Sequence, residues 1–133
     1  MGTLLDAYAL IALLAQEQAE PEVKRLLRRG DVAMPSVNLA EAIDYLERRE
    51  KIAEEELRPL IEQLPFEVLP LDEPTAWSAA RLRARHYHRR RRPVSLADCV
   101  LVASSKAGDE VATNDPAVLD MARDEGVKVR VLT

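Results

Sequence analysis

The chain has little of what builds covalent scaffolds or soft metal sites. Its single cysteine, Cys99, among 133 residues excludes an internal disulfide, fits a reducing compartment and cannot by itself make a Cys-based zinc site. Aromatic residues are 4% of the chain, with one Trp (Trp77) and one Phe (Phe66), so the core must be built from Leu, Val, Ile and Ala. Four glycines leave no flexible linker, and no internal repeat is visible. No apolar run approaches the roughly 20 residues that cross a bilayer, and no signal peptide precedes the first apolar segment, so the chain reads as cytoplasmic with no membrane partner. Gly2 invites a myristoylation reading, but the Ser or Thr required at position six is Asp6.

What is present is 47% apolar residues, enough at this length for one independently folding domain spanning residues 1–133. Charged residues make up 32%, and the net charge of −4 argues against a nucleic-acid partner until its distribution is considered. The segment RLRARHYHRRRR, 81 to 92, holds seven of the 19 Lys and Arg residues. The average conceals a basic patch.

Hydrophobic spacing and punctuation divide the chain into alternating elements. TLL reads as a buried strand, followed by a helix from Ala7 to about Glu17. EPEVKRLLRR is a second helix, closed by Gly30. DVAMP is a strand, with Ser36 or Asn38 as cap of a helix marked by Val37, Ala40, Ile43 and Leu46. A charged helix covers about Ala53 to Gln63, FEVLP is a strand, and DEPTAWSAARLRARHYH has the acidic start and basic end of a dipole-matched helix. An Arg-rich loop follows, the best candidate for a mobile segment. SLADCVLVASSKAG opens with a Ser-x-x-Asp box and stops at Gly108. EVAT, DPAVLDMARDEG and KVRVL complete a strand–helix–strand series. Alternation of this kind implies an α/β domain of three layers, with a central, mostly parallel sheet of four or five short strands between helices.

Asp6, Glu41, Asp98 and Asp115 each fall at, or in the first turn of, an expected helix. Capping accounts for each taken singly, because an acid there accepts orphan N–H groups for about 0.5 to 2 kcal/mol. Together they carry more. Asp6 and Asp115 directly follow strands and Glu41 follows another by a turn, which places them at the carboxyl edge of a parallel sheet, where ligands bind. Asp98 has no strand before it. Carboxylates about 4 Å apart repel by roughly 4 kcal/mol at an effective dielectric of 20, so a converging set requires a cation. Oxygen-only ligands select Mg²⁺ or Mn²⁺.

LLDAYALIALL, VNLAEAIDYL, SLADCVLVASS and VATNDPAVL, in this order and spanning the whole chain, resemble the four motif blocks of the PIN-domain nucleases, and the size is similar to the VapC-type toxins of toxin–antitoxin pairs. The resemblance implies a three-layer α/β/α PIN-like fold and a metal-dependent endoribonuclease. It implies that Asp6, Glu41, Asp98 and Asp115 bind one or two Mg²⁺ or Mn²⁺ ions, that Thr113 orients the site, and that cleavage leaves a 3′-hydroxyl and a 5′-phosphate. It also implies an RNA substrate, a cognate antitoxin and a homodimer, for which the apolar helix faces of the N-terminal half are the candidates. The chain departs from the pattern at Ala7, where Thr or Ser is frequent, and after Asp98, where Cys99, Val100 and Leu101 replace a second acid.

Around that core, Asn38 and Tyr45 stand one helical turn either side of Glu41 as supporting residues. Arg89, Arg90, Arg91 and Arg92 are candidate phosphate contacts, with Tyr87 available for stacking. The same cluster is also what a solvated helix end would carry. His86 and His88 read as exposed and uncoordinated, Asp44 with Arg48 as a surface pair, and Cys99 as a small buried thiol. Competing readings are an RNA-processing nuclease of similar fold without an antitoxin, a receiver-type domain, and a non-catalytic binding module with ordinary caps. The receiver requires paired acids where TLLDAY has one.

Overall fold

A computed structural model describes residues 2–133. Five strands, β1 (Thr3–Leu5), β2 (Val32–Pro35), β3 (Glu67–Leu69), β4 (Glu110–Thr113) and β5 (Lys128–Val131), form one sheet in the order β3-β2-β1-β4-β5. Every neighbouring pair is parallel. Seven helices connect and cover them: α1 (Ala7–Leu14), α2 (Glu20–Arg29), α3 (Ser36–Arg48), α4 (Glu54–Glu62), α5 (Glu73–His86), α6 (Leu96–Ala103) and α7 (Pro116–Asp124). The fold is the expected three-layer α/β/α arrangement, with an all-parallel sheet.

The two-residue period of a strand sets the layers. In β1, Leu5 packs with Leu10, Leu13, Val23 and Leu26 on one face of the sheet, while Leu4 packs with Leu82, Val100, Leu101 and Met121 on the other. Ala112 and Val111 of β4 divide in the same way. Two apolar cores therefore sandwich the sheet, one under α1 and α2, the other under α5, α6 and α7. Trp77 lies outside both at 61% exposure, consistent with an aliphatic core.

Strand order positions the site. The chain winds outward from β1 through β2 to β3, then returns to place β4 on the other side of β1. At the carboxyl ends of β1 and β4 the connections leave in opposite directions, the topological switch point where a crevice opens in an open α/β sheet.

Several element boundaries differ from the sequence reading. The first helix ends at Leu14 rather than near Glu17. Neither Ser36 nor Asn38 caps α3, because the helix starts directly after Pro35, which holds the cap position without a side-chain bond. Helix α6 stops at Ala103. Gly108, with φ +89, instead belongs to the tight turn closed by the Asp109 N–H on the Lys106 carbonyl at 2.9 Å. Leu10, Leu13, Val23, Leu26 and Leu27 of α1 and α2 are buried in the protein's own core, while Ile11 and Leu14 of α1 remain partly exposed. Among the described residues, no helix is long and apolar enough to cross a membrane.

Candidate active site at the carboxyl edge of the sheet

Asp6 follows β1 at the switch point and is 8% exposed. Its extended backbone makes it the N-cap of α1, and Oδ1 accepts the Ala9 N–H at 3.1 Å. Oδ2 accepts the Thr113 hydroxyl at 2.5 Å. That hydroxyl accepts the Asp115 N–H at 3.1 Å, so Thr113, the last residue of β4, ties the two strand ends together. Asp115 caps α7 through the Ala117 N–H at 2.9 Å, its carboxylate lying exposed ahead of Pro116.

Asp98 reaches the same edge from α6. Ser95 and Asp98 form a reciprocal capping box, the Asp98 N–H on Ser95 Oγ at 3.1 Å and the Ser95 N–H on Asp98 Oδ2 at 2.9 Å. For Asp6, Asp98 and Asp115 the cap and the candidate site are thus one residue each. Glu41 is different. With α3 starting at Ser36, it lies beyond the first turn, which contains no acid, and its exposed carboxylate caps nothing.

The electrostatics link the four. Burial, reinforced by the charges of Asp98 and Asp115, pushes the Asp6 carboxyl up to about 6 despite the opposing bonds from Thr113 and Ala9. Asp98 is raised by burial and by Asp115 against its Ser95 bonds. Glu41 is raised by burial and by Asp98. Among the described residues, none of the four acids pairs with a Lys or Arg. A mutually repelling, oxygen-only donor set lacking a protein cation suits a hard divalent ion. As the side chains stand, no three acid, His or Cys groups among the described residues are close enough to hold one ion together.

Asn38 is buried one turn before Glu41. Its side-chain amide approaches the carbonyl of Ala97, the residue before Asp98, at 3.5 Å, and its Oδ1 has no hydrogen-bond partner. It bridges α3 to the start of α6. Tyr45 is half-buried on the same helix.

The Arg run is divided by the fold. His88 and Arg92 exchange backbone bonds at 2.9 Å in both directions, and His88 Nδ1 accepts the N–H groups of Arg90 and Arg91, closing a tight hairpin in place of an open loop. Arg89, Arg90 and Arg91 are exposed. Arg92 is turned inward, onto Asp124 at 2.8 Å and onto Nδ1 of His86 at 2.7 Å. His86 is therefore not the exposed histidine expected from a charged stretch: its side chain is 7% exposed, between Arg92 and Glu125. Because the guanidinium only donates, Nδ1 accepts and Nε2 carries the proton toward Glu125. Tyr87 stacks under the Arg83 guanidinium, 4.3 Å from its centroid. Asp44 pairs with Arg48 at 2.9 Å, and Cys99 is buried against Met121, both as expected.

Mutually repelling carboxylates at the switch point of an open parallel α/β sheet occupy the edge at which such sheets bind ligands. A profile of the PIN domain matches residues 3–124, and the chain belongs to the PIN domain family, a family of nucleases that generally depend on divalent metal. Among solved structures, the fold is similar to that of DNA-bound VapBC from Salmonella typhimurium, with TM-score 0.72 and 20% identity over 100% of this chain and 99% of that one. FitAcB from Neisseria gonorrhoeae has TM-score 0.65 and 24% identity over 96% and 95% of the two chains. A toxin–antitoxin complex from Klebsiella pneumoniae has TM-score 0.63 and 17% identity over 86% and 87%. Among curated proteins, none matches the chain.

Proposed function

We propose that this protein is a cytoplasmic Mg²⁺- or Mn²⁺-dependent endoribonuclease and the toxin of a toxin–antitoxin pair. The observation that carries the reading is the group of carboxylates at the switch point, which pair with no Lys or Arg among the described residues, with the Thr113 hydroxyl bonded to both the Asp6 carboxylate and the Asp115 N–H. In this reading Asp6, Asp98, Asp115 and Glu41 hold one or two ions. When bound, such an ion lowers the pKa of water and polarises a phosphoryl oxygen.

The protein's own contribution is placement and charge. Thr113 holds the Asp6 carboxylate in one orientation and favours its ionised form. The capping bonds of Asp98 and Asp115 fix the backbone from which those carboxylates project. Asn38 braces α3 against the start of α6, which sets Glu41 relative to Asp98. The exposed Arg89, Arg90 and Arg91 supply positive charge for the RNA backbone, and Arg92 fixes the hairpin that carries them. Similarity to structures named as VapBC and as a toxin–antitoxin complex supports an antitoxin as protein partner, alongside RNA and a second copy of the chain.

Cleavage of a mixed RNA substrate by the purified protein with Mg²⁺ or Mn²⁺, compared with Asp6→Asn, tests the reading. Asparagine caps a helix as well as aspartate does, so the fold should persist, as circular dichroism will show, while cleavage disappears. Cleavage retained by Asp6→Asn removes that residue from the site.

A further inference from the structure

The outward face of α5 carries two exposed aromatic rings that neither core uses, Trp77 and Tyr87. Ala79 and Leu82 bury one side of this helix. On the other side, helical spacing aligns Trp77, Ala80, Arg81, Ala84 and the C-cap Tyr87, all exposed. The Trp77 indole is held by its Nε1–H on Glu73 at 3.2 Å. Seven residues on, about 10 Å along the axis, lies a hollow lined by Ala80, Arg83, Ala84, Tyr87 and Leu96. Leu96, the first residue of α6, is itself 56% exposed. The wall of the hollow is fixed in advance: Arg83 covers one face of the Tyr87 ring and donates Nε–H to the Val94 carbonyl at 3.0 Å.

Positive charge surrounds both features. Arg81 stands between them, and Arg89, Arg90 and Arg91 lie just beyond the helix end; none of the four pairs with an acid among the described residues. The two Nη groups of Arg83 likewise meet no acceptor among the described residues, its one hydrogen bond leaving from Nε. The acids at the start of the helix, Asp72 and Glu73, already accept from the Thr75 N–H and the indole. An occupant that complements this face must be anionic and must present flat apolar groups. Exposed rings interleaved with unpaired arginines suit a single-stranded nucleic acid, whose bases stack on the rings while its phosphates meet the guanidinium groups. A duplex keeps its bases inside and would leave the indole and the hollow unfilled.

We propose that this face binds unpaired RNA, one base stacking on the Trp77 indole and another entering the hollow between Tyr87 and Leu96, where the Nη groups of Arg83 meet its acceptor edge. That the strand is RNA rests on the nuclease reading above; the face itself demands that the strand be unpaired. Leu96 opens α6, and Asp98 lies in the same first turn. A base in the hollow therefore holds the strand against the helix that carries one of the four acids, and the two base positions make α5 a determinant of which RNA segments reach that edge.

Binding in EDTA, where no divalent ion supports cleavage, tests this apart from nuclease activity. Fluorescence anisotropy compares a labelled, unstructured RNA with the same strand annealed to its complement. The full chain should bind the single strand at least about tenfold more tightly than the duplex. Emission from Trp77, the only Trp in the chain, should be quenched by the single strand alone. Trp77→Ala, and Ala84→Leu, which fills the hollow, should each weaken single-strand binding roughly tenfold, the scale of one stacked base. Their salt slopes should match the wild type, because neither residue meets a phosphate. Both positions are exposed, so circular dichroism should be unchanged. Equal binding of single strand and duplex, or variants that bind like the wild type, would overturn the proposal and leave the nuclease reading standing. So would poly-glutamate captured by the wild type and lost by Ala84→Leu with RNA binding unaffected, which would assign the hollow to an acidic protein segment. Single-strand binding that both variants weaken, in a protein that cuts no RNA with Mg²⁺ or Mn²⁺, would support the base sites and remove the nuclease reading.

Discussion

The Thr113 hydroxyl donates a 2.5 Å hydrogen bond to Oδ2 of Asp6, joining residues 107 positions apart in sequence across the switch point of the sheet. Thr113 is wholly buried, and its oxygen also receives the Asp115 N–H. One side chain thereby sets the orientation of one acid and the backbone of another.

Replacing Thr113 with Val keeps the shape and removes the donor. A buried carboxylate that loses one of two hydrogen bonds should destabilise the fold by about 1–3 kcal/mol, read as a lower midpoint in urea. The lost bond had favoured the ionised form, so the Asp6 carboxyl should rise further, and the acidic limb of any pH–cleavage profile should move to higher pH. An unmoved limb with a destabilised fold would make Thr113 purely structural.

Asp6 makes stability depend on pH in an unusual direction. Its carboxyl lies at about 6 in the folded protein, above the roughly 3.9 of an unfolded chain. Between these values the folded state binds the extra proton, so stability falls as pH rises through this window. The penalty is complete above about pH 6 and relieved below about 4; two pK units correspond to roughly 3 kcal/mol. Asp6→Asn should therefore be more stable than wild type at pH 7.5 without added metal, with the difference shrinking toward pH 4.5. Denaturation curves at the two pH values check both the sign and the closure of the gap.

Divalent ions should reverse that ordering. An ion that binds the folded state at a hundred times its dissociation constant stabilises by about 2.7 kcal/mol. Millimolar Mn²⁺ should raise the melting temperature of the wild type, and Asp98→Asn should lose the rise while keeping its half of the capping box through the asparagine oxygen. A rise of equal size in Asp98→Asn would place the ion elsewhere.

Strand–helix alternation and the positions of Asp6 and Asp115 were legible in the sequence because they depend on local signals, a short apolar run, then an acid, then a helix-forming stretch, and Asp98 was legible through its Ser-x-x-Asp box. Glu41 was legible as an acid of the pattern but not as lying beyond the first turn, since Pro35 passes the chain into α3 without a capping side chain. Gly108 looked like a helix stop, yet Ser104 and Ser105 already turn their hydroxyls onto the Val100 and Val102 carbonyls and the helix ends there. Nothing local marks His86 for burial or separates Arg92 from its three neighbours. Their partners, Glu125 and Asp124, lie more than 30 residues away and meet them only because α5 and α7 share a face of the sheet.

That division of the Arg run gives two substitutions of identical chemistry with opposite consequences. Arg89, Arg90 and Arg91 touch no acid among the described residues, and replacing the three with Gln should leave the melting temperature nearly unchanged. RNA affinity should fall, and the slope of log affinity against log salt should flatten by up to about 2, given about 0.7 released counterions per phosphate contact on a single strand. Arg92→Gln removes an ion pair to Asp124 and the cation that sits on Nδ1 of a nearly buried histidine. Its salt slope should hardly change, but the fold should lose stability because His86 is left with an unsatisfied nitrogen. Filter binding of a labelled RNA across a salt series, paired with thermal melts, separates the two. A steep loss of salt dependence in Arg92→Gln alone would mean that the inward arginine, not the exposed three, meets the RNA.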